Sequence, residues 1–255
     1  MAGRYDLVPI ENRINRLMRS ISLSHLVASF PPGSRVLEIG CGTGEEALAL
    51  ASRGVDVVAL DPSAEMIRIA ESKAKSRGTA GRVKFHQASA RDIPRLAESL
   101  DGPFDGGYAS FSLAYEPDLR PVVEGLHLLL RAHSRFHASV PSRVCLVELV
   151  LSVGSGHPSY AGRRLATSHG HKVGIRFVPI RTYTPDSLAR LFSPFFTLEA
   201  IEALPAIVPP PYMNRIYARF NGFADALERA DARLRGRFPF RSFGDHFLAR
   251  FRHTA

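Results

Sequence analysis

Residues 36 to 44 read Val-Leu-Glu-Ile-Gly-Cys-Gly-Thr-Gly, and a helix-forming run, Glu45 to Ala51, follows at once. An apolar strand that feeds a glycine-rich turn and then a helix commits the chain to an α/β sheet. In such sheets the turn presents backbone N–H groups to a nucleotide-like ligand. Gly40, Gly42 and Gly44 lack Cβ, so the chain can turn tightly and let a ligand touch the backbone. Asp61 stands 21 residues after Gly40, closing the apolar run from Val55 to Leu60. An acid at a second strand end is placed to accept hydrogen bonds from ribose hydroxyls. The glycines fall at every second position. They do not follow Gly-x-Gly-x-x-Gly, which packs a pyrophosphate against a helix N-terminus. No Gly-Lys-Ser/Thr is present, so a P-loop is excluded.

Periodicity supplies the surrounding elements. Ile10, Ile14, Leu17 and Ile21 predict an amphipathic helix over 9–30, ended by Pro31-Pro32-Gly33. Strands are expected at 35–39, 56–60, 82–87, 104–110 and 135–140. Helices are expected to about Arg53, through Met66 to Gly78, and from Asp118 to Arg131. This alternation implies a parallel sheet covered on both faces, with the ligand crevice along the edge after the strands. After Pro141 the alternation stops. Thr184-Pro185-Asp186 reads as a helix start, 195–204 as a strand, 212–237 as a helical run and 246–252 as a last strand. The last helical run carries Ile216, Phe220, Phe223 and Leu227 on one face. The whole chain, 1–255, is expected to form one domain, with a core at 33–141 and insertions at about 142–184 and 205–241.

Composition narrows the partners. Hydrophobic residues make up 45% and charged residues 22% of the 255, as in an ordinary globular domain. No apolar stretch reaches the roughly 18 residues of a membrane span. Met1 to Asp6 lead into no apolar signal core, which gives a cytoplasmic expectation. Cys41 and Cys145 are too few and too far apart for a disulfide framework or a zinc site. The net charge of +9 comes almost wholly from scattered arginine, since Lys73, Lys75, Lys84 and Lys172 are the only lysines. That pattern disfavours nucleic acid and suits an anionic small substrate.

The spelling Glu-x-Gly-x-Gly-x-Gly, with an acid inside the first strand, resembles motif I of the class I S-adenosylmethionine (SAM)-dependent methyltransferases. The order of elements is similar to that family from about Tyr5 to His253, most closely over 35–131. The resemblance implies a Rossmann-like, seven-stranded, mostly parallel sheet of order 3-2-1-4-5-7-6 with an antiparallel last strand, and SAM as cofactor. It implies that Gly40, Cys41, Gly42 and Gly44 pass beneath the methionine part. Glu38 would hold the turn or meet the SAM amine, and Asp61 would take the ribose hydroxyls. Pro62 and Met66 would flank the adenine. Ser89 stands where the family usually has an acid for the adenine amino group. Ala90 N–H would still reach the ring, and Asp92 is either a substitute acid or a helix cap. Ser110, Phe111 and Tyr115 would line the floor beneath the sulfonium, where aromatic faces are favourable.

Methyl transfer needs a base only when the acceptor loses a proton. Candidates in the 142–184 segment are His157, Tyr160, His169 and His171, and in the first helix Tyr5 and Arg19. Arg163, Arg164 and Arg176 are candidates for holding a carboxylate. Against each stands the plainer reading of an exposed, solvated residue. No metal is expected, because His169 and His171 lack a third ligand. The expected activity is methyl transfer from SAM to a small molecule, at an O, N or C atom. The alternatives are an RNA or protein methyltransferase, or a SAM-binding protein that no longer transfers methyl.

Overall fold

A computed structural model describes residues 12–154, 164, 168–173 and 176–254. Strands β1 (Arg35–Ile39), β2 (Asp56–Asp61), β3 (Val83–Gln87), β4 (Phe104–Ser110) and β5 (Leu130–Pro141) pair in parallel. β9 (His246–His253) runs antiparallel to both β5 and β8 (Phe196–Leu204). The sheet order is β3-β2-β1-β4-β5-β9-β8, seven strands in all. Val36, Leu37, Val57 and Val58 are buried, as a sheet covered on both faces requires.

One face carries α1 (Arg13–Ser29), α2 (Glu45–Ala51) and α3 (Ala64–Ser76). Leu26, Leu48, Leu50 and Ile67 fill that side with Val36 and Val57. The other carries α4 (Ile93–Leu96), α5 (Arg120–Leu129) and, later in the chain, α7 (Pro185–Phe192). Val122, Leu126, Leu188 and Phe192 pack there with Phe136 and Phe251. α7 opens where Thr184-Pro185 predicts it. Thr184 Oγ1 accepts from Ser187 N–H at 3.1 Å, and Ser187 Oγ accepts from Thr184 N–H at 2.8 Å.

Three boundaries differ from the sequence reading. The first helix starts at Arg13, capped by Asn12, whose side chain accepts from Asn15 N–H; Ile10 lies outside the described residues. β5 starts at Leu130 and not at Arg135, with an irregularity in its pairing to β4 before Arg135 and His133 at φ 61°. The helical run at 212–237 is broken into α8 (Asn214–Tyr217) and α9 (Asn221–Leu234). Phe220, at φ −115°, interrupts the helical phase. Tyr217 and Ala224 therefore face the core with Ile14 and Met18, while Ile216, Phe220 and Phe223 are exposed.

Within 142–184 the chain forms α6 (Leu146–Gly154) and a hairpin of β6 (Ser168–Val173) and β7 (Arg176–Arg181). Among the described residues no helix is long and apolar enough to cross a membrane.

Candidate cofactor and active site

The site begins with backbone. Gly40, Gly42 and Gly44 adopt φ of 74°, 54° and 82°, a region that side chains other than glycine rarely occupy. A Cβ on Gly40 would lie 2.2 Å from Ser112 Cβ. The turn is fastened to the end of β2, because Gly40 N–H and Cys41 N–H both donate to Leu60 O, at 2.7 and 2.9 Å.

Asp61 sits at the hinge of that arrangement. Its Oδ2 accepts from Gly42 N–H at 2.8 Å and its Oδ1 from Ser63 N–H at 2.9 Å. It joins the glycine turn to the start of α3. An ionised carboxylate has about four acceptor positions, so each oxygen keeps capacity for a further donor. Pro62 is exposed and Met66 half-buried just beyond.

Beneath the turn lies a buried cluster of charge. Glu38 is 1% exposed and stands in register beside Tyr108 of β4. The Tyr108 hydroxyl lies against the Glu38 carboxyl, and both are shut off from solvent. Burial first, and Glu46 second, push the Glu38 carboxyl well above the usual carboxylate range. Glu46 is itself clamped by Arg19, whose Nε and Nη2 each donate to it at 2.9 Å. Arg19 thus ties α1 to the helix after the turn. Cys41 is buried, and burial pushes its thiol upward, so it is no nucleophile.

On the β3 side, Asp92 Oδ2 accepts from Ser89 N–H at 3.3 Å, which closes the capping box of the turn Ala90–Asp92, while its side chain makes no cap bond to α4. Glu116 comes over from the loop after β4. Its Oε1 accepts from Ser89 Oγ at 3.2 Å and its Oε2 from Arg91 at 3.1 Å. A carboxylate therefore stands beside Ser89 although the sequence has none at that position. Ala90 is buried.

At the end of β4 the residue against the glycine turn is Ser112, whose Oγ donates to Ile39 O at 2.5 Å. The sequence reading missed it. Ser110 instead faces Ser22 of α1, with Oγ atoms 3.4 Å apart. Phe111, at φ 61°, packs beside Ile21 and Leu204. Its ring meets His246 edge-on, with centroids 5.4 Å apart. Tyr115 is 44% exposed.

The far part of the same edge is built from side chains. Arg164 forms ion pairs with Glu148 and Asp245. It also donates to Asp245 O at 2.9 Å. Tyr212 donates to Glu148 at 3.2 Å, and Asp245 Oδ2 lies 2.7 Å from His246 Nδ1. Arg164 is therefore a buried centre of an ion-pair network, in place of the expected solvated residue or carboxylate holder. Cys145, Glu148 and Asp245 offer ligand atoms within 4.8 Å of one another. The guanidinium already supplies the positive charge between the two acids. Tyr5, His157, Tyr160 and Arg163 lie outside the described residues. The backbone of His169 pairs with Ile180, that of His171 with Val178 and that of Arg176 with Val173 in the hairpin.

The left-handed glycines and the spare acceptor capacity of Asp61 suit an adenosyl cofactor with ribose hydroxyls. Known proteins agree. Residues 36–133 match the family described as "Methyltransferase domain". An O-methyltransferase, rstn1, of Aspergillus nomiae is 33% identical over 132 residues, 51% of this chain and 53% of its own length. The magnesium-protoporphyrin O-methyltransferase of Rhodobacter capsulatus is 40% identical over 111 residues, 43% of this chain and 46% of that protein. The chain thus spans about half the length of the curated relatives it matches. Among solved structures, the geranyl diphosphate C-methyltransferase of Streptomyces coelicolor A3(2), in complex with Mg2+, geranyl diphosphate and S-adenosyl-L-homocysteine, superimposes with a TM-score of 0.59. It is 14% identical and covers 92% of this chain and 79% of that one. Over residues 36–133 the chain is thus similar to the methyltransferase-domain family, and its fold is shared with that methyltransferase structure.

Proposed function

We propose that the protein transfers a methyl group from SAM to a small-molecule acceptor, leaving S-adenosylhomocysteine. The observation that carries this is the glycine turn pinned by Asp61 at a sheet edge that two later segments cover. Asn12, at the start of α1, donates to Pro211 O at 2.9 Å, and Tyr212 reaches Glu148 of α6. These contacts join α1, α6 and the 205–234 segment around the edge. A covered edge suits a molecule of limited size.

Asp61 and the glycine turn would hold the ribose and methionine parts, and Ala90 N–H with Glu116 would meet the adenine. Bound there, SAM supplies a methyl group already activated by its positive sulfur. The protein's own part is then to position the acceptor and exclude water.

An anionic acceptor is supported by a cavity of about 330 Å³ lined by Arg143, Arg181, Arg190, Thr182, Tyr183 and Ser187. Other arginines are absorbed in ion pairs, such as Arg13 with Glu228 and Arg250 with Glu199. Both cysteines are free and buried, which suits a reducing compartment such as the cytoplasm.

The test is a screen of phenols, hydroxy acids and amines with methyl-labelled SAM. Label should pass to a small acceptor. In Arg181→Met and Arg190→Met the KM for an acidic acceptor should rise about tenfold, equivalent to about 1.4 kcal/mol, with less change for a neutral one. Label passing only to RNA or protein would overturn the reading.

A further inference from the structure

We propose that His246 is the base that takes the acceptor's proton, with Asp245 and Arg164 as the residues that position it. The inference rests on the methyl-transfer reading above. It assigns the proton to a residue that the sequence placed in a plain last strand.

His246 begins β9 opposite Pro141, the final residue of β5. β9 is antiparallel, so its first residue lies at the carboxyl edge of the parallel strands, where ligands of such sheets bind. Three neighbours connect it to the glycine turn. His246 meets Phe111, Ser112 follows Phe111, and Ser112 Oγ bonds Ile39 O beneath Gly40. The Phe111 ring thus stands between the imidazole and the strand end that carries Ser112. Its side chain is 20% exposed, so it is accessible without being a free surface group.

The local backbone over-determines its position. Asp245 N–H donates to Pro205 O and Ser142 N–H to Asp245 O, each at 3.1 Å. Gly244 allows this approach, because a Cβ there would lie 2.4 Å from Pro205 O. Burial opposes ionisation of Asp245, but the Arg164 charge and the hydrogen bonds from His246 and Arg164 outweigh it. They hold its carboxyl well below the usual range. An ionised carboxylate only accepts, so Nδ1 carries the proton facing it, and in the neutral ring the lone pair is then on Nε2. Glu148, itself held by Tyr212, anchors Arg164 from behind.

The step balances without a further reagent. The acceptor's O–H or N–H bond breaks and the proton goes to Nε2. The electron pair left on the acceptor atom forms the new bond to the methyl carbon, as the methyl–sulfur pair passes to sulfur. The imidazolium formed is stabilised by Asp245, as in other acid–histidine pairs. The proton then leaves to solvent.

The test combines nitrogen NMR of the full-length, histidine-labelled protein with transfer assays. With S-adenosylhomocysteine bound, His246 should show a protonated Nδ1 and an unprotonated Nε2, and Asp245→Asn should relax that preference. His246→Gln should bind S-adenosylhomocysteine within twofold of wild type. It should lose about 10²–10⁴-fold in transfer to the acceptor found by the screen. A protonated Nε2 in the wild type, or transfer by His246→Gln within threefold of wild type, would overturn the proposal and leave the methyl-transfer reading standing. Failure of the folded wild type to bind S-adenosylhomocysteine would overturn both.

Discussion

The near and far halves of the sheet's carboxyl edge are made in different ways. Around β1 and β2 the site is backbone: three left-handed glycines, two N–H donors on Leu60 O, and one acid that caps two loops. Around β5 and β9 it is side-chain charge, with Arg164, Glu148, Asp245, His246 and Tyr212 converging from four segments. A backbone site lies within a short stretch of sequence and tolerates little, because its shape is fixed by dihedral angles. A side-chain network can be rebuilt residue by residue, which leaves room for acceptor choice to change while cofactor binding stays constant.

The largest expected effect lies in the far half. Arg164→Met leaves Glu148 and Asp245, 4% and 1% exposed, without their shared cation. Removing one partner of a buried pair costs about 3–5 kcal/mol. Urea unfolding should show that loss, and a change under about 1 kcal/mol would mean that the network is not a stabilising centre.

That contrast also decided what could be read from the sequence. The strands and the place of the glycine turn followed from hydrophobic runs and spacing, which are local, whereas the seven-stranded order followed only from the family resemblance that the glycine motif carries. Phe111 and Ser112 are neighbours, yet only Ser112 touches the turn, because the left-handed backbone at Phe111 swings that ring toward α1 and His246. No composition signal marks such a kink at a phenylalanine. Glu116 beside Ser89 depends on a contact across 27 positions. His246 looked like an ordinary strand residue because its partners, Asp245 apart, are remote in sequence. The Asp-His pair followed by an apolar strand was the one available signal.

The next effect belongs to the near half. Gly40→Ala meets both the positive φ and the Ser112 side chain, and about 2–3 kcal/mol of destabilisation is expected. Adding Ser112→Gly should recover the steric part and leave the dihedral part, and a double-mutant cycle in denaturant reads the split. Full additivity would break the claim that this approach shapes the turn.

A smaller effect is pH-dependent. The folded Glu38 carboxyl lies above its ordinary value of 4.5. It favours the fold below that value and loses its contribution as pH rises through the raised one. Glu38→Gln removes this penalty. Its melting temperature without cofactor should match wild type near pH 4.5 and exceed it by a few degrees at pH 8, on the order of 1–2 kcal/mol. His137 gives the opposite slope. Burial first, then the positive charges around it, lower it to about 3 from 6.5, so its contribution is present above 6.5 and fades on acidification. His137→Phe should flatten the acid limb of a stability profile below pH 6.5, and an unchanged limb would remove His137 from the account.

The central claim is that Asp61 and the glycine turn hold the adenosyl cofactor, and calorimetric titration of S-adenosylhomocysteine into wild type and Asp61→Ala tests it most directly. The account predicts micromolar binding by the wild type. It also predicts a loss of about 30-fold or more in the variant, about 2 kcal/mol or above, as expected when charge-assisted hydrogen bonds to a carboxylate are removed. Equal affinity in the two proteins would contradict it.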